Sequence, residues 1–459
     1  MPDASAGFGA GFGGGGPVAI ISHTHPSVTK GGAEIAAYTV YEGLRRIGVD
    51  AIFIAVCPAA DRHKLLLGSN REFAVIADPV RYDHFYQLGA ADIWRQLKTI
   101  LLREKVRLVN FHHFLGLGVN TLRALAAETD IPYVITLHEF LAICAHHGQM
   151  VTRPARRLCQ GANPVACATC FPEHSRQQFM LRQDLIQSAL LNAKAFISPS
   201  HFLAERMVEW GLPRDKFMVI ENGLRHVPKR EDYARSAVDG SPWTFGYFGQ
   251  ITPFKGADVL LDAIDLLAKQ PGIDGKIRIR VHGNVIGQSE EFTKRFTDSF
   301  AKNNFTSYAG PYDNADVHKL MAACDYVLIP STWWENSPVV IQEAYAVGRP
   351  MICTNIGGMA EKIPNRRSGL HFRLGDGADL ARVMAEAADD TLYDALCSGI
   401  PPVGDLEDMA RDYLATFTRM AGYRTHSEMA MATQSSSAGV APNGGTAAVV
   451  KNRRSRARG

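Results

Sequence analysis

Two glutamates eight positions apart, Glu335 and Glu343, sit in the segment STWWENSPVVIQEAYAVGRP, which follows the apolar run Tyr326–Pro330. Ser337 suits an N-cap and Pro338 suits the first helical position, where a missing N–H leaves nothing unpaired. The spacing therefore predicts a helix over Val339–Val347 whose free amides and positive dipole end face whatever lies beyond the strand. That is a place for a phosphate. Glu335 stands just before the turn and Glu343 near the middle of the helix. A carboxylate at a helix start can simply complement the dipole, but two of them flanking a phosphate site also suit sugar hydroxyls, each accepting two hydrogen bonds. A second cluster lies in GYFGQITPFKGADVLLDAI, residues 246–264. Gly246 and Gly249 flank a strand end there, and Lys255 with Gly256 opens a helix. A lysine at that place offers a point charge to a diphosphate.

The N-terminal half carries a similar arrangement. After its first strand comes SHTHPSVTKGGAE, in which Gly31 and Gly32 let backbone approach a ligand closely at a helix start,. The strand Tyr133–Leu137 ends in His138-Glu139, and His112 and His113 follow the strand Leu108–Phe111.

These residues need strands to present them. Further apolar runs at Val18–Ser22, Ala51–Val56, Ala195–Ser198 and Phe217–Ile220 alternate with helical patterns such as Ala33–Ile47 and Phe202–Trp210. The alternation restarts with the strand Trp243–Gly249, the helix Ala257–Lys269 and the strands Ile277–Gly283, Tyr326–Pro330 and Pro350–Thr354. Such βαβ alternation predicts parallel sheets covered by helices on both faces, which bind ligands at the carboxyl ends of their strands. The expected organisation is a Gly-rich disordered stretch over 1–16, an N-terminal Rossmann-like domain over 17–226, a linker over 227–242, a second such domain over 243–405, a helix crossing back over 406–423, and a disordered basic tail over 424–459.

Composition agrees with a two-domain globular chain. It has 459 residues, 46% of them hydrophobic and 21% charged,. A net charge of +3 gives no reason to expect nucleic acid, and no apolar run reaches membrane-spanning length,. The first residues lack the basic and apolar regions of a signal peptide. A cytoplasmic protein is expected, either free or touching the inner face of the membrane through the basic tail KNRRSRARG,.

The order G-x(5)-K-G, a glycine after the next strand at Gly283, and E-x(7)-E resembles the retaining glycosyltransferases of family 4 across residues 17–423. The resemblance implies the GT-B fold, two Rossmann-like domains facing across a cleft. It implies a nucleotide-sugar donor, a UDP- or GDP-sugar, and a glycan or lipid-linked acceptor, in surface polysaccharide assembly. It implies that Lys255 contacts the donor diphosphate, Glu335 the transferred sugar and Glu343 the ribose. Gly249, Gln250, Gly283, Asn336, Ser337, Pro338 and Val339 would complete the donor site, with Gly31 and Gly32 near its phosphates. His138 would lie against the sugar, and His112 and His113 on the acceptor side. The family's usual arginine before the lysine is replaced by Gln250, so the diphosphate loses one positive charge there. No Asp-x-Asp motif is present, so no catalytic cofactor is expected. A nucleotide-sugar epimerase, a phosphorylase or a non-catalytic sugar-binding protein could use the same fold. A dinucleotide oxidoreductase does not match, because its glycine spacing, found in GFGAGFGGGG, precedes the first strand,.

An insertion over 144–174 holds four of the chain's eight cysteines: Cys144, Cys159, Cys167 and Cys170. Cys167 and Cys170 have the C-x(2)-C spacing that suits one tetrahedral ion, and the segment has little apolar periodicity with which to fold. A structural zinc bound by the four, or with His146, His147 or His174 replacing one, is expected. An iron–sulfur cluster, a disulfide and plain thiols are the other readings.

Overall fold

The apolar runs build two parallel sheets in the computed structural model. Residues 15–153, 155–230, 240–285 and 287–425 are described. The Gly-rich start, most of the linker and nearly all of the basic tail therefore lie outside the described residues. Strands β1 (Val18–Ser22), β2 (Ala51–Pro58), β3 (Glu72–Ala77), β4 (Leu108–Phe111), β5 (Tyr133–Thr136), β6 (Phe196–Ser198) and β7 (Phe217–Val219) pair in the order β3-β2-β1-β4-β5-β6-β7. Strands β8 (Trp243–Phe248), β9 (Ile277–His282), β10 (Thr306–Gly310), β11 (Tyr326–Ile329), β12 (Met351–Thr354) and β13 (Gly369–Phe372) pair in the order β10-β9-β8-β11-β12-β13. Each sheet starts at its centre, grows to one edge, and then jumps back across its first strand. The strand order therefore reverses between β1 and β4, and between β8 and β11. At such a point the two following loops diverge and leave a crevice.

Central strands are continuously apolar because helices cover both faces. Along β1, Ala19 and Ile21 join the core that contains Leu97 and Leu122, while Val18 and Ile20 join the opposite core. The three strands that the periodicity does not reveal, β3, β10 and β13, are all sheet edges. Edge strands are covered less and carry polar residues such as Thr306 and Ser307, so their apolar signal is broken,.

The helix Leu406–Ala421 starts from a capping box at Asp405 and belongs to the N-terminal core. Its Leu406, Met409, Ala410, Tyr413 and Phe417 pack with Val18, Ile20 and Leu44. The Pro17–Tyr423 stretch forms one compact unit. Among the described residues, no helix is long and apolar enough to cross a membrane.

Phe417 is fully buried. Phe417→Ala should lower the unfolding free energy by about 3–5 kcal/mol in urea titrations. A loss below about 1 kcal/mol would show that the crossing helix does not support that core.

Candidate active site

Two helices begin at one cleft, and neither start is capped by a side chain. The helix Gly32–Arg46 has Gly31 as its N-cap, and the helix Val339–Ala346 has Pro338 as its N-cap. Gly31 and Gly32 on one wall and Pro338, Val339 and Val340 on the other line a cavity of about 650 Å³. The first amides of a helix have no partner within it, so both walls aim donors at the same space. Ser337 does not cap the second helix, contrary to the expectation from its type. Its Oγ donates to the Glu221 carboxylate, which is a stronger acceptor than a helix end offers. Pro338 takes the cap position instead of the first helical one.

Lys255 and Glu335 meet at the floor of the cleft. Lys255 ends a short turn, Pro253–Lys255, and Gly256 follows in the left-handed region at φ 76°. A side chain at Gly256 would collide with the Pro330 carbonyl at 1.8 Å, so only glycine lets the β8 and β11 loops come this close. Lys255 Nζ lies 2.7 Å from Glu335 Oε1, and the same oxygen accepts from Ser331 Oγ at 2.9 Å and Trp333 Nε1 at 2.7 Å. Burial pushes the Glu335 carboxyl up. The Lys255 charge and the three hydrogen bonds outweigh that and hold it below the ordinary carboxylate range,. Glu335 is thus an anion with one oxygen engaged, and among the described residues Oε2 takes none of these bonds. Glu343 differs. It is buried on the helix Val339–Ala346, and burial raises its carboxyl to about 7 against one hydrogen bond with Asn314. Burial first, and then Glu343, raises the phenol of Tyr312, which lines the cleft.

Gly249 and Gln250 line the cleft, and Gln250 is exposed. Gly283 does not line it. A side chain there would meet the Gly249 carbonyl at 1.7 Å, so Gly283 shapes the loop after β8 from behind.

The loops after β1, β4 and β5 form a layer of histidines. His138 lines the cleft, and its Nε2 is 3.0 Å from His112 Nδ1. Burial first, then His113 and His23, lower His138 to about 3, and burial holds His112 well below its ordinary value. Both rings are neutral, so one proton is shared between them. His112 stands behind His138 and stacks on Tyr413 of the crossing helix. It is buried and does not line the cavity. His113 also lies behind the wall. The Leu115 amide donates to its Nδ1, which fixes the proton on Nε2, 3.1 Å from Glu139 Oε1. Glu139 does line the cleft. His23 pairs with Glu34 at 3.3 Å. Burial raises the Glu34 carboxyl, and His23 and Thr29 together overcome this and bring it to about 2. His23 was readable as another residue after a strand end. Trp333 and Trp334, beside the glutamate motif, were not singled out by spacing.

Contacts across the cleft hold the walls together. Asn336 Nδ2 donates to His138 O at 2.9 Å, and Trp334 Nε1 donates to Cys159 O at 3.0 Å. Glu361 accepts from the His201 and Phe202 amides at 2.9 and 2.7 Å, at the start of the helix His201–Glu209.

The buried Arg182 donates to the carbonyls of Phe85, Leu141, Ala142 and Ile143. Cys167 and Cys170 lie on one short helix, Pro164–Cys170. Cys170 Sγ accepts from the Arg153 amide, Cys159 Sγ donates to Gly161 O, and burial pushes the Cys144 thiol up to about 11. His146 bonds to Val151 O and His174 stacks on Phe85. Among the described residues no three His, Cys, Asp or Glu side chains are grouped to hold a metal ion. Cys159 acts electrostatically on both Cys144 and Cys167, and Cys170 on Cys167, so the four thiols named for the zinc lie in one neighbourhood. His147 instead joins the cleft wall, with Gly148 and Gln149.

Two facing parallel sheets, with uncapped helix starts and a Lys–Glu pair at their switch points, define the GT-B architecture. The chain matches the model for Glycosyltransferase Family 4 over residues 30–226 and that for Glycosyl transferases group 1 over residues 228–398. It belongs to the family 4 glycosyltransferases. It is similar to D-inositol 3-phosphate glycosyltransferases of Stackebrandtia nassauensis (28% identity over 38% of each chain) and of Rhodococcus erythropolis (27% over 77% of this chain and 79% of the relative). The chain spans less than half the length of the first two curated relatives it matches, 38% and 48%. Among solved structures it is similar to Anabaena HepE in complex with UDP and glucose, at 19% identity and TM-score 0.59, covering 88% of this chain and all of that one. It is also similar to sucrose-phosphate synthase of Thermosynechococcus elongatus, at 16% identity and TM-score 0.66, covering 89% and 100%.

The raised Glu343 carboxyl makes stability depend on pH. Its folded value of about 7 exceeds the ordinary 4.5, so its contribution is complete below the ordinary value and is lost as pH rises through 7. Relative to Glu343→Gln, the ligand-free wild type should lose about 3 kcal/mol of unfolding free energy between pH 5 and pH 9. Parallel pH profiles for the two proteins would contradict the burial of this carboxyl.

Proposed function

We propose that this chain transfers a glycosyl group from a nucleoside-diphosphate sugar to a hydroxyl of a glycan or lipid-linked acceptor, with retention of anomeric configuration, in surface polysaccharide assembly. The observation that carries the reading is the Lys255–Glu335 pair lying between two uncapped helix starts. Amides and one lysine suit a diphosphate, and a buried carboxylate beside them suits a sugar. UDP-sugars are the first donors to test, because the similar HepE structure holds UDP and glucose.

In this reading the diphosphate lies between the helix starts and draws Lys255 Nζ toward it. Glu335 Oε2 accepts a hydroxyl of the sugar. Asn336 Oδ1, buried with no partner, accepts another, and neutral His138 lies against the ring. The bond from the anomeric carbon to the phosphate oxygen breaks, and its electron pair leaves on the phosphate. The acceptor oxygen bonds to the same carbon from the same face, and its proton passes to the leaving phosphate. Lys255 and the amides stabilise the charge that develops there, in a site where water is largely replaced by fixed donors.

The roles separate in kinetics. Lys255→Ala should lower kcat/KM about a hundredfold in a folded protein. Glu335→Gln should chiefly lower kcat, whereas Glu343→Gln should chiefly raise the donor KM, since ribose contact is similar in ground and transition states. The product anomer is read by NMR. An inverted product, or wild-type kinetics for Lys255→Ala, would reject the reading.

A further inference from the structure

We propose that Lys30 is a second diphosphate-binding cation, offered to the donor from the N-terminal wall of the cleft. The inference rests on the donor reading above and adds a residue from the opposite domain to it.

Charge at the cleft is unevenly matched. Among the described residues that line it, Lys30 and Lys255 are the only lysines or arginines. Lys255 is already paired with Glu335 at 2.7 Å. Each phosphate of a nucleoside diphosphate brings at least one negative charge, so Lys255 alone must serve both its carboxylate and the ligand. Lys30 is exposed and has no ion pair among the described residues. The nearest carboxylate in sequence, Glu34, is engaged by His23 and Thr29 instead.

The backbone around Lys30 is fixed while its side chain is free. Thr29 Oγ1 donates to Glu34 Oε1 at 2.7 Å and also bonds Thr24 Oγ1. Gly31 is the N-cap of the helix Gly32–Arg46, with no side-chain cap. Lys30 is therefore pinned immediately before an uncapped helix start that lines the cavity. At Gly32 a side chain would meet nothing within 4 Å, whereas at Gly31 it would meet Glu34 Oε2 at 2.4 Å, so the helix start is open on the Gly32 side. A second feature marks the same cavity as a ligand site. Asn336, nine-tenths buried on the far wall, has an Oδ1 with no partner. A lysine on a flexible stem beside free amides suits a phosphate as a point charge. With Lys255 below and Lys30 opposite, the diphosphate would be held from both domains.

The test is calorimetric titration of the full chain with UDP, GDP and ADP, followed by Lys30→Ala and Lys30→Arg with the diphosphate that binds. Lys30→Ala should weaken binding about tenfold and flatten its dependence on salt. Lys30→Arg should restore most of the affinity, and neither variant should move the thermal midpoint, because the side chain is exposed. Unchanged affinity for Lys30→Ala in a chain that binds a diphosphate would overturn the proposal and leave the donor reading standing. Failure of the wild type to bind any of the three would overturn both. A lowered midpoint with affinity lost equally in Lys30→Arg would assign Lys30 a structural role and reject the proposal.

Discussion

A carboxylate held below the protein surface must be met by donors, or it costs the fold more than the charge is worth. Glu335 imposes that condition on this cleft. Lys255 comes from the loop after β8, Ser331 and Trp333 from the loop after β11, and all three converge on one oxygen. The two loops come that close because their strands are neighbours across the reversal in strand order, and because Gly256 accepts contact with the Pro330 carbonyl. The second oxygen of Glu335 is left for a ligand. The residues beside it then bind the opposite wall, through Trp334 to the insertion and through Asn336 to His138.

The same wall is supported from far away in sequence. Tyr413, on the crossing helix, stacks on His112, and His112 bonds to His138. Asn336 donates to the His138 carbonyl. A contiguous path of packed and hydrogen-bonded groups therefore links the last helix of the compact unit to the glutamate motif. Burial keeps both histidines neutral, so the path carries geometry without adding charge to a cleft that must receive an anion.

The interior of each sheet was legible in the sequence, because strands covered on both faces must be apolar throughout. Val18–Ser22 and Leu108–Phe111 have the bounds read from the sequence. The edge strand Thr306–Gly310 was not legible, since it is largely exposed and keeps no apolar pattern. At the site, residues that follow strand ends were readable by position: Lys255, Glu335, His138 and the Gly31–Gly32 turn all reach the cleft. Residues whose roles arise from tertiary partners were not. Ser337 has the type of a cap but is drawn to Glu221, and His112 has the position of a wall residue but lies behind one. Arg182 gave no local signal, because its four carbonyl partners come from segments distant in the chain.

The central claim is that one anionic ligand is gripped by helix starts on both walls. Amide hydrogen exchange with and without UDP-glucose measures this directly. Gly32–Ile35 on one wall and Val339–Ile341 on the other should both slow when the donor is added, and by comparable factors at saturation. Protection confined to one wall, or to neither while the ligand is demonstrably bound, would contradict the account.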